Sequence, residues 1–138
     1  MADTLLLQLV SPERALVEEQ VTDVQIPALD GFIGVLPGHA PLISELKPGG
    51  VLSYHLSAGG GEKFLAVYGG FVEVLPDRVR VLADDAQRKE EIDVNQAREE
   101  LNKALADMQN LHSEAIDPAV AVAEAMRAQA KLDTATKG

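Results

Sequence analysis

Cysteine and tryptophan are both absent from this 138-residue chain. Without cysteine there is no disulfide framework, no thiolate zinc site and no cysteine nucleophile. Without tryptophan, and with aromatics at 4%, a core must be built from Leu, Val, Ile and Ala. Cations are scarce as well: 12 Lys+Arg stand against 22 Asp+Glu, a formal charge of −10. A phosphate backbone is bound by neutralising it, so this balance argues against a nucleic-acid binder, and the same repulsion disfavours an anionic lipid surface. No stretch approaches the roughly 20 apolar residues of a membrane span, so no direct membrane insertion is expected. The opening MADTLLLQLVSPER has no positive region and a short apolar run broken by Gln8, and it is not expected to be a signal peptide. What is present, 46% apolar and 25% charged residues, is the balance of a soluble globular chain.

Glycine and proline are distributed unevenly. Ten of the 11 glycines and six of the seven prolines precede residue 88; beyond it lie only Pro118 and Gly138. Both residues punctuate regular structure, so many short elements should give way to a few long ones. Apolar residues before the change alternate with period 2: Leu5, Leu7 and Leu9; Val24 and Ile26; Leu52, Tyr54 and Leu56; Leu65 and Val67; Val72 and Val74; Val79 and Val81. Turn signals such as Asp30-Gly31, Pro37-Gly38 and Gly59-Gly60-Gly61 separate these runs. The pattern predicts an antiparallel β-sandwich over residues 1–87.

Residues 88–138 change period. Val94, Ala97, Leu101, Ala104, Met108 and Leu111 recur at helical spacing, with Leu105 widening the stripe. Asp93 is placed to cap this helix, with Gln96 three residues on to reach back to it. Asp117-Pro118 supplies a second start signal, and the two helices should form an antiparallel hairpin. The second helix offers Ala119, Val122, Ala123, Met126 and Ala130 as its inward residues. Such a seam gains little on docking, because a buried methylene is worth roughly 0.8 kcal/mol. Alanine meanwhile keeps the helix itself stable. A mobile arm and a thin static hairpin both fit.

Catalytic patterns are missing. His39, His55 and His112 lie on separate segments without metal-ligand spacing, and the latter two read as structural or solvated histidines. Gly59-Gly60-Gly61-Glu62-Lys63 departs from a phosphate loop and reads as a hairpin turn. Asp84-Asp85 more naturally end the strand region than act as an acid–base pair. The densest constraint is Gly31 to Gly49. There Pro37 and Pro41 fix their own φ, Gly38 suits a positive φ, and His39 is held on a stiff apolar corner. That is either an ordinary rigid loop or a surface shaped for another protein.

Leu36-Pro37-Gly38-His39-Ala40-Pro41-Leu42, followed by Leu46-Lys47-Pro48-Gly49, closely resembles the signature of the epsilon subunits of F-type (rotary) ATP synthases. Ser11-Pro12-Glu13-Arg14, Tyr68-Gly69-Gly70-Phe71-Val72-Glu73-Val74, Val81-Leu82-Ala83-Asp84 and Glu91-Ile92-Asp93 are similar to further family motifs in the same order. The resemblance implies a non-catalytic rotor subunit of the central stalk in a bacterial, proton-translocating synthase. Its place would be peripheral, at the cytoplasmic face of the plasma (inner) membrane. It would couple ring rotation to ATP synthesis, with the gamma subunit, the membrane ring subunits and the catalytic alpha and beta subunits as partners. Phe32, Leu36, Pro37, Gly38, His39, Ala40, Pro41 and Leu42 would face the ring and gamma; Phe32 stands where the family often has a carboxylate.

The hairpin would be regulatory, permitting turnover when folded on the sandwich and obstructing hydrolysis when extended along gamma. Arg98, Lys103, Arg127 and Lys131 are the cations nearest such a role, although residues from Arg88 onward hold seven cations against ten carboxylates. Some relatives bind ATP in the hairpin through Ile/Leu-Asp-x-x-Arg-Ala. Here Gln96 replaces that arginine, so binding should be weak or absent, and no cofactor is expected. Two other readings remain at this point: a free-standing β-sandwich interaction module, and a small enzyme using His39 with a carboxylate.

Overall fold

A computed structural model of the chain describes residues 3–110 and 112–137. Met1 and Leu111, which entered the leader and stripe expectations, lie outside the described residues. Nine strands come first: β1 (Leu5–Val10), β2 (Ala15–Ala28), β3 (Gly31–Val35), β4 (Leu42–Glu45), β5 (Gly50–Leu56), β6 (Glu62–Val67), β7 (Gly70–Leu75), β8 (Arg78–Ala83) and β9 (Ala86–Arg88). A single 3₁₀ turn (Lys89–Glu91) leads to α1 (Val94–Gln109) and α2 (Pro118–Thr136).

The hydrogen-bonded order is β4-β7-β8-β1-β2-β5-β6-β9, with β3 also on β2. β2 is long enough to serve both layers. Its first half pairs with β1, its second half with β3, and β5 runs along its other edge past an irregularity between Val21 and Asp23. One pair departs from the expected antiparallel pattern: β1 and β8 run parallel. A local pattern of alternation marks which face of a strand is buried but carries nothing about its neighbour's direction.

Alternation places the core. Leu5, Leu7, Leu9, Val21, Val24, Ile26, Leu52, Val67, Val72, Val74, Val79 and Val81 are fully buried between the layers. Each such side chain contributes roughly 1.5–3 kcal/mol relative to exposure. β3 and β4 lie inside the stretch read as a loop. β4 is largely exposed on both faces; β3 alternates, with Ile33 half-buried and Val35 fully buried in the core while Phe32 and Gly34 face outward, but its glycines read as turn chemistry.

The helices start where expected. Asp93 accepts from the Gln96 backbone N–H at 3.1 Å, and Asp117 from that of Ala119 at 2.9 Å with Pro118 behind it. α1 buries Ala97 and Ala104, with Val94, Leu101 and Met108 half-buried; Leu105 is exposed rather than part of the stripe.

In α2 the expected seam is only partly right. Ala130 is buried and Ala123 and Met126 are half-buried, but Ala119 and Val122 are exposed. The remaining buried positions are Ala121, Ala128 and Thr134. Ala121 and Ala130 are nine residues apart, about 180° round a helix of 3.6 residues per turn. α2 is therefore covered on two opposite sides, by α1 and by the sandwich at β5, β6 and the 3₁₀ turn.

Candidate functional site

The corner between β3 and β4 is rigid for reasons visible in its residues. Gly38 adopts φ +87°, a conformation closed to most side chains. Its N–H donates to the Pro76 carbonyl at 2.8 Å, pinning the corner to the β7–β8 turn. His39 donates its backbone N–H to Leu36 O at 3.1 Å, and its ring Nδ1 donates to the Ala40 carbonyl at 2.6 Å. A backbone carbonyl gives the imidazole orientation but no acid–base partner. Leu36 is 64% exposed, and Ala40, Pro41 and Leu42 are exposed beside it.

Phe32 is set apart from this corner. It lies near the opposite end of β3, with Lys47 Nζ 5.4 Å from its ring centroid. There it helps to line an apolar groove of about 400 Å³ between the sandwich and the hairpin, with Lys47, Leu101, Leu105, Met108 and Met126. Of the eight residues expected at the corner, seven are contiguous in space and Phe32 belongs to the groove.

A second surface adjoins the corner; Phe71 and Leu82 stand in family-like motifs, but the sequence assigned them no contact role. On the outward face of β4, β7 and β8, Ile43 is 71% exposed, Phe71 55% and Leu82 54%. The register sets Phe71 opposite Leu82 on one side and Glu45 on the other, and sets Ile43 opposite Glu73. Large apolar side chains grouped on one sheet face mark a contact surface. The alternation that placed Val72, Val74, Val79 and Val81 inside already placed Phe71 and Leu82 outside, and that was the available signal.

The four hairpin cations fall into different settings. Lys103, Arg127 and Lys131 converge on a cleft of about 510 Å³ with Gln96, Glu100 and Glu124; Arg98 is exposed and does not line it. Arg127 donates to Asp85 Oδ2 at 2.8 Å, and Lys131 donates to both carboxylate oxygens of Glu100, at 3.1 and 2.9 Å. Lys103 donates to Asp107 at 3.2 Å, and this bond with its charge holds the lysine pKa above its ordinary value.

Beneath the cleft, Tyr68 is buried against Ala66 and Ala130 and donates its hydroxyl to Gln87 Oε1 at 2.6 Å. Burial raises the Tyr68 pKa far above 10, with Arg127 pulling the other way. The sequence marked Asp85 only as the end of the strand region and Tyr68 only as part of a family-like motif, because tertiary packing alone brings them under α2. His55 is the hydrogen-bonded structural histidine expected, its Nδ1 2.9 Å from Asp23. Among the described residues no group of His, Asp and Glu has the arrangement of a metal site.

The whole is a binding and positioning module: a stiff sandwich with an exposed apolar face and corner, carrying a helical hairpin on its flank. The model of the ATP synthase Delta/Epsilon chain, beta-sandwich domain, matches residues 4–89. The chain is 51% identical over 137 residues, 99% of each chain, to the ATP synthase epsilon chain of Solibacter usitatus. It is 39% identical over 132 residues, 96% of each, to that of Moorella thermoacetica. In solved structures it matches a chain of the Euglena gracilis mitochondrial ATP synthase OSCP/F1/c-ring assembly with TM-score 0.81 and 25% identity, covering 94% of this chain and 80% of that one. This chain belongs to the ATP synthase epsilon family, whose members are accessory rather than catalytic subunits of the synthase.

Proposed function

We propose that this chain works as the epsilon subunit of a bacterial, proton-driven rotary synthase, at the foot of the central stalk on the cytoplasmic face of the plasma membrane. The observation that carries the reading is the exposed apolar face of β4, β7 and β8 next to the Leu36–Leu42 corner, on a chain related to epsilon chains over nearly its full length. Ile43, Phe71 and Leu82 give a gamma subunit an apolar seat rimmed by Glu45, Glu73 and Arg80. The corner from Leu36 to Leu42, stiffened by Gly38 and the Pro76 carbonyl, meets the loops of the membrane ring. Strands paired far apart in sequence can pass torque between those two contacts without deforming.

The sandwich through the 3₁₀ turn and the hairpin beyond it form two working parts, one for coupling and one for regulation. Docked as described here, the hairpin keeps Arg127 and Lys131 paired with Asp85 and Glu100. Extension would free Arg127 to meet acidic surfaces of the catalytic subunits. The experiment is ATP hydrolysis by an epsilon-depleted catalytic core as the chain is added. Slower hydrolysis with the full chain, and not with a chain ending after Ile92 that still binds gamma, supports a working brake. Equal rates with both would remove the brake from this reading.

A further inference from the structure

A third of the chain's cations meet in one place, apart from the cleft of the hairpin cations. Lys63, Arg88, Lys89 and Lys137, four of the 12, line a cleft of about 350 Å³ where the β5–β6 hairpin meets the 3₁₀ turn. Of the 22 acidic residues only Glu62 and Glu90 line it. In a chain of net charge −10 this is a local reversal of sign. A concave surface of one sign focuses the field and gathers counter-ions, here anions.

The strand register assembles the cleft. Lys63 on β6 stands opposite Tyr54 on β5, and Arg88 on β9 stands opposite Leu65, two residues along β6 from Lys63. Cross-strand partners and residues two apart share a face, so Tyr54, Lys63 and Arg88 emerge together although distant in sequence. Tyr54 is 8% exposed, its ring held in the hydrophobic core. The Tyr68 hydroxyl is engaged by Gln87, but among the described residues the Tyr54 hydroxyl has no hydrogen-bond partner. Burial raises the Tyr54 pKa above the ordinary 10, so this hydroxyl is a donor at neutral pH.

The cations are in part available. Arg88 is anchored by a 3.0 Å bond to the Leu16 carbonyl and lies 3.7 Å from Glu91, with its side chain still 43% exposed. Lys89 reaches the Lys137 carbonyl, and among the described residues neither Lys63 nor Lys89 is in an ion pair. The run Gly59-Gly60-Gly61-Glu62-Lys63 forms one rim. Gly60 has φ +105° with open space where a Cβ would stand, so the rim is low.

We infer that this cleft binds a dianionic phosphate, with the Tyr54 hydroxyl donating to one oxygen and Lys63, Arg88 and Lys89 supplying the positive charge. A hydroxyl fixed by a core ring supplies direction, and the flexible lysines supply neutralisation. The cleft is separate from the hairpin segment in which Gln96 stands, and the inference does not depend on how the chain sits in the stalk.

Amide NMR of the full, isotope-labelled chain, titrated with inorganic phosphate at an ionic strength held constant with sodium chloride, reads the site. Saturable shifts at Gly60, Lys63 and Lys89 are expected. Tyr54→Phe, which leaves the ring in the core, should weaken binding about tenfold, and Lys63→Gln about threefold. Glu90→Gln removes a repelling carboxylate and should tighten binding about threefold, a gain that a damaged fold would not produce. Glycerol phosphate, titrated in parallel, separates the two sources of the group: tighter binding of the ester assigns the site to a phosphorylated small molecule, and equal binding to the free ion. Acetate, with a single charge, should bind more weakly than either.

Shifts that do not saturate, or that sodium chloride alone reproduces, overturn the site. So does parent affinity in Tyr54→Phe, acetate binding as tightly as phosphate, or a set of shifts centred on Gln96 and Arg127 instead.

Discussion

Two residues show how much of the hairpin's seat depends on single atoms. Gly49, immediately before β5, lies directly against the α2 backbone at Met126 and Arg127, where any Cβ would overlap. Gly49→Ala should therefore push α2 off the sheet and cost about 1–3 kcal/mol, the usual range for overpacking. Chemical denaturation, read with amide exchange in α2, checks it.

Glu91 makes a pH prediction. The hydrogen bonds from Arg14 and from the Arg88 N–H hold its carboxyl below the ordinary 4.5, against a smaller opposing effect of burial. The unfolded chain thus binds this proton more readily than the folded one, so the contribution is full above about pH 4.5 and is lost as pH falls through the depressed value. Arg14→Gln should flatten that acid limb of the stability profile. An unchanged limb would show that the clasp does not hold the hairpin's root. None of these roles was visible in the sequence. Arg14 and Glu91 stood in family-like motifs, yet 77 residues of chain separate them and only the fold makes them partners.

Elements were legible in proportion to how one-sided they are. β1, β7 and β8 bury every second residue, and their alternation located both the strands and the core. β4 lacks a buried face and β3 fully buries only Val35, with Ile33 half-buried, and Gly34, Pro41 and their neighbours read as turn chemistry, so two strands hid inside an apparent loop. α1 has a single stripe and was read well; α2 has two, which a single-seam reading merges. The caps were legible because capping is local. Asp117→Ala should cost about 1 kcal/mol, the usual value for a lost N-cap. Because α2 carries the docking face, that loss should appear first as faster exchange in its opening turn. The sandwich should be indifferent to it. A chain ending after Ile92 should likewise keep the sandwich folded, since Glu91 and its clasp remain.

At the scale of the whole molecule, the absences that opened the sequence acquire a use. A chain with net charge −10 and little aromatic content still exposes Ile43, Phe71 and Leu82 together, and Leu36 and Leu42 close by. Apolar exposure on that scale, on a stiff two-layer body, is what a permanent seat in a larger assembly requires. Among the described residues no helix is long and apolar enough to cross a membrane. The motifs pointed to the corner because its prolines and glycines are distinctive. The sheet face was less legible, since exposed apolar residues on alternating strands look like ordinary variation until the register lines them up.

The most direct measurement is association of the purified chain with an epsilon-depleted catalytic core that retains gamma, followed by size-exclusion chromatography and titration. Stoichiometric co-elution is expected, with Phe71→Asp and Ile43→Asp each weakening binding at least about tenfold, as burying an unpaired charge in an apolar seat must. Both variants should keep the parent's circular dichroism. A chain that fails to associate, or that binds equally well with an aspartate on that face, would contradict the assignment of this surface to the stalk.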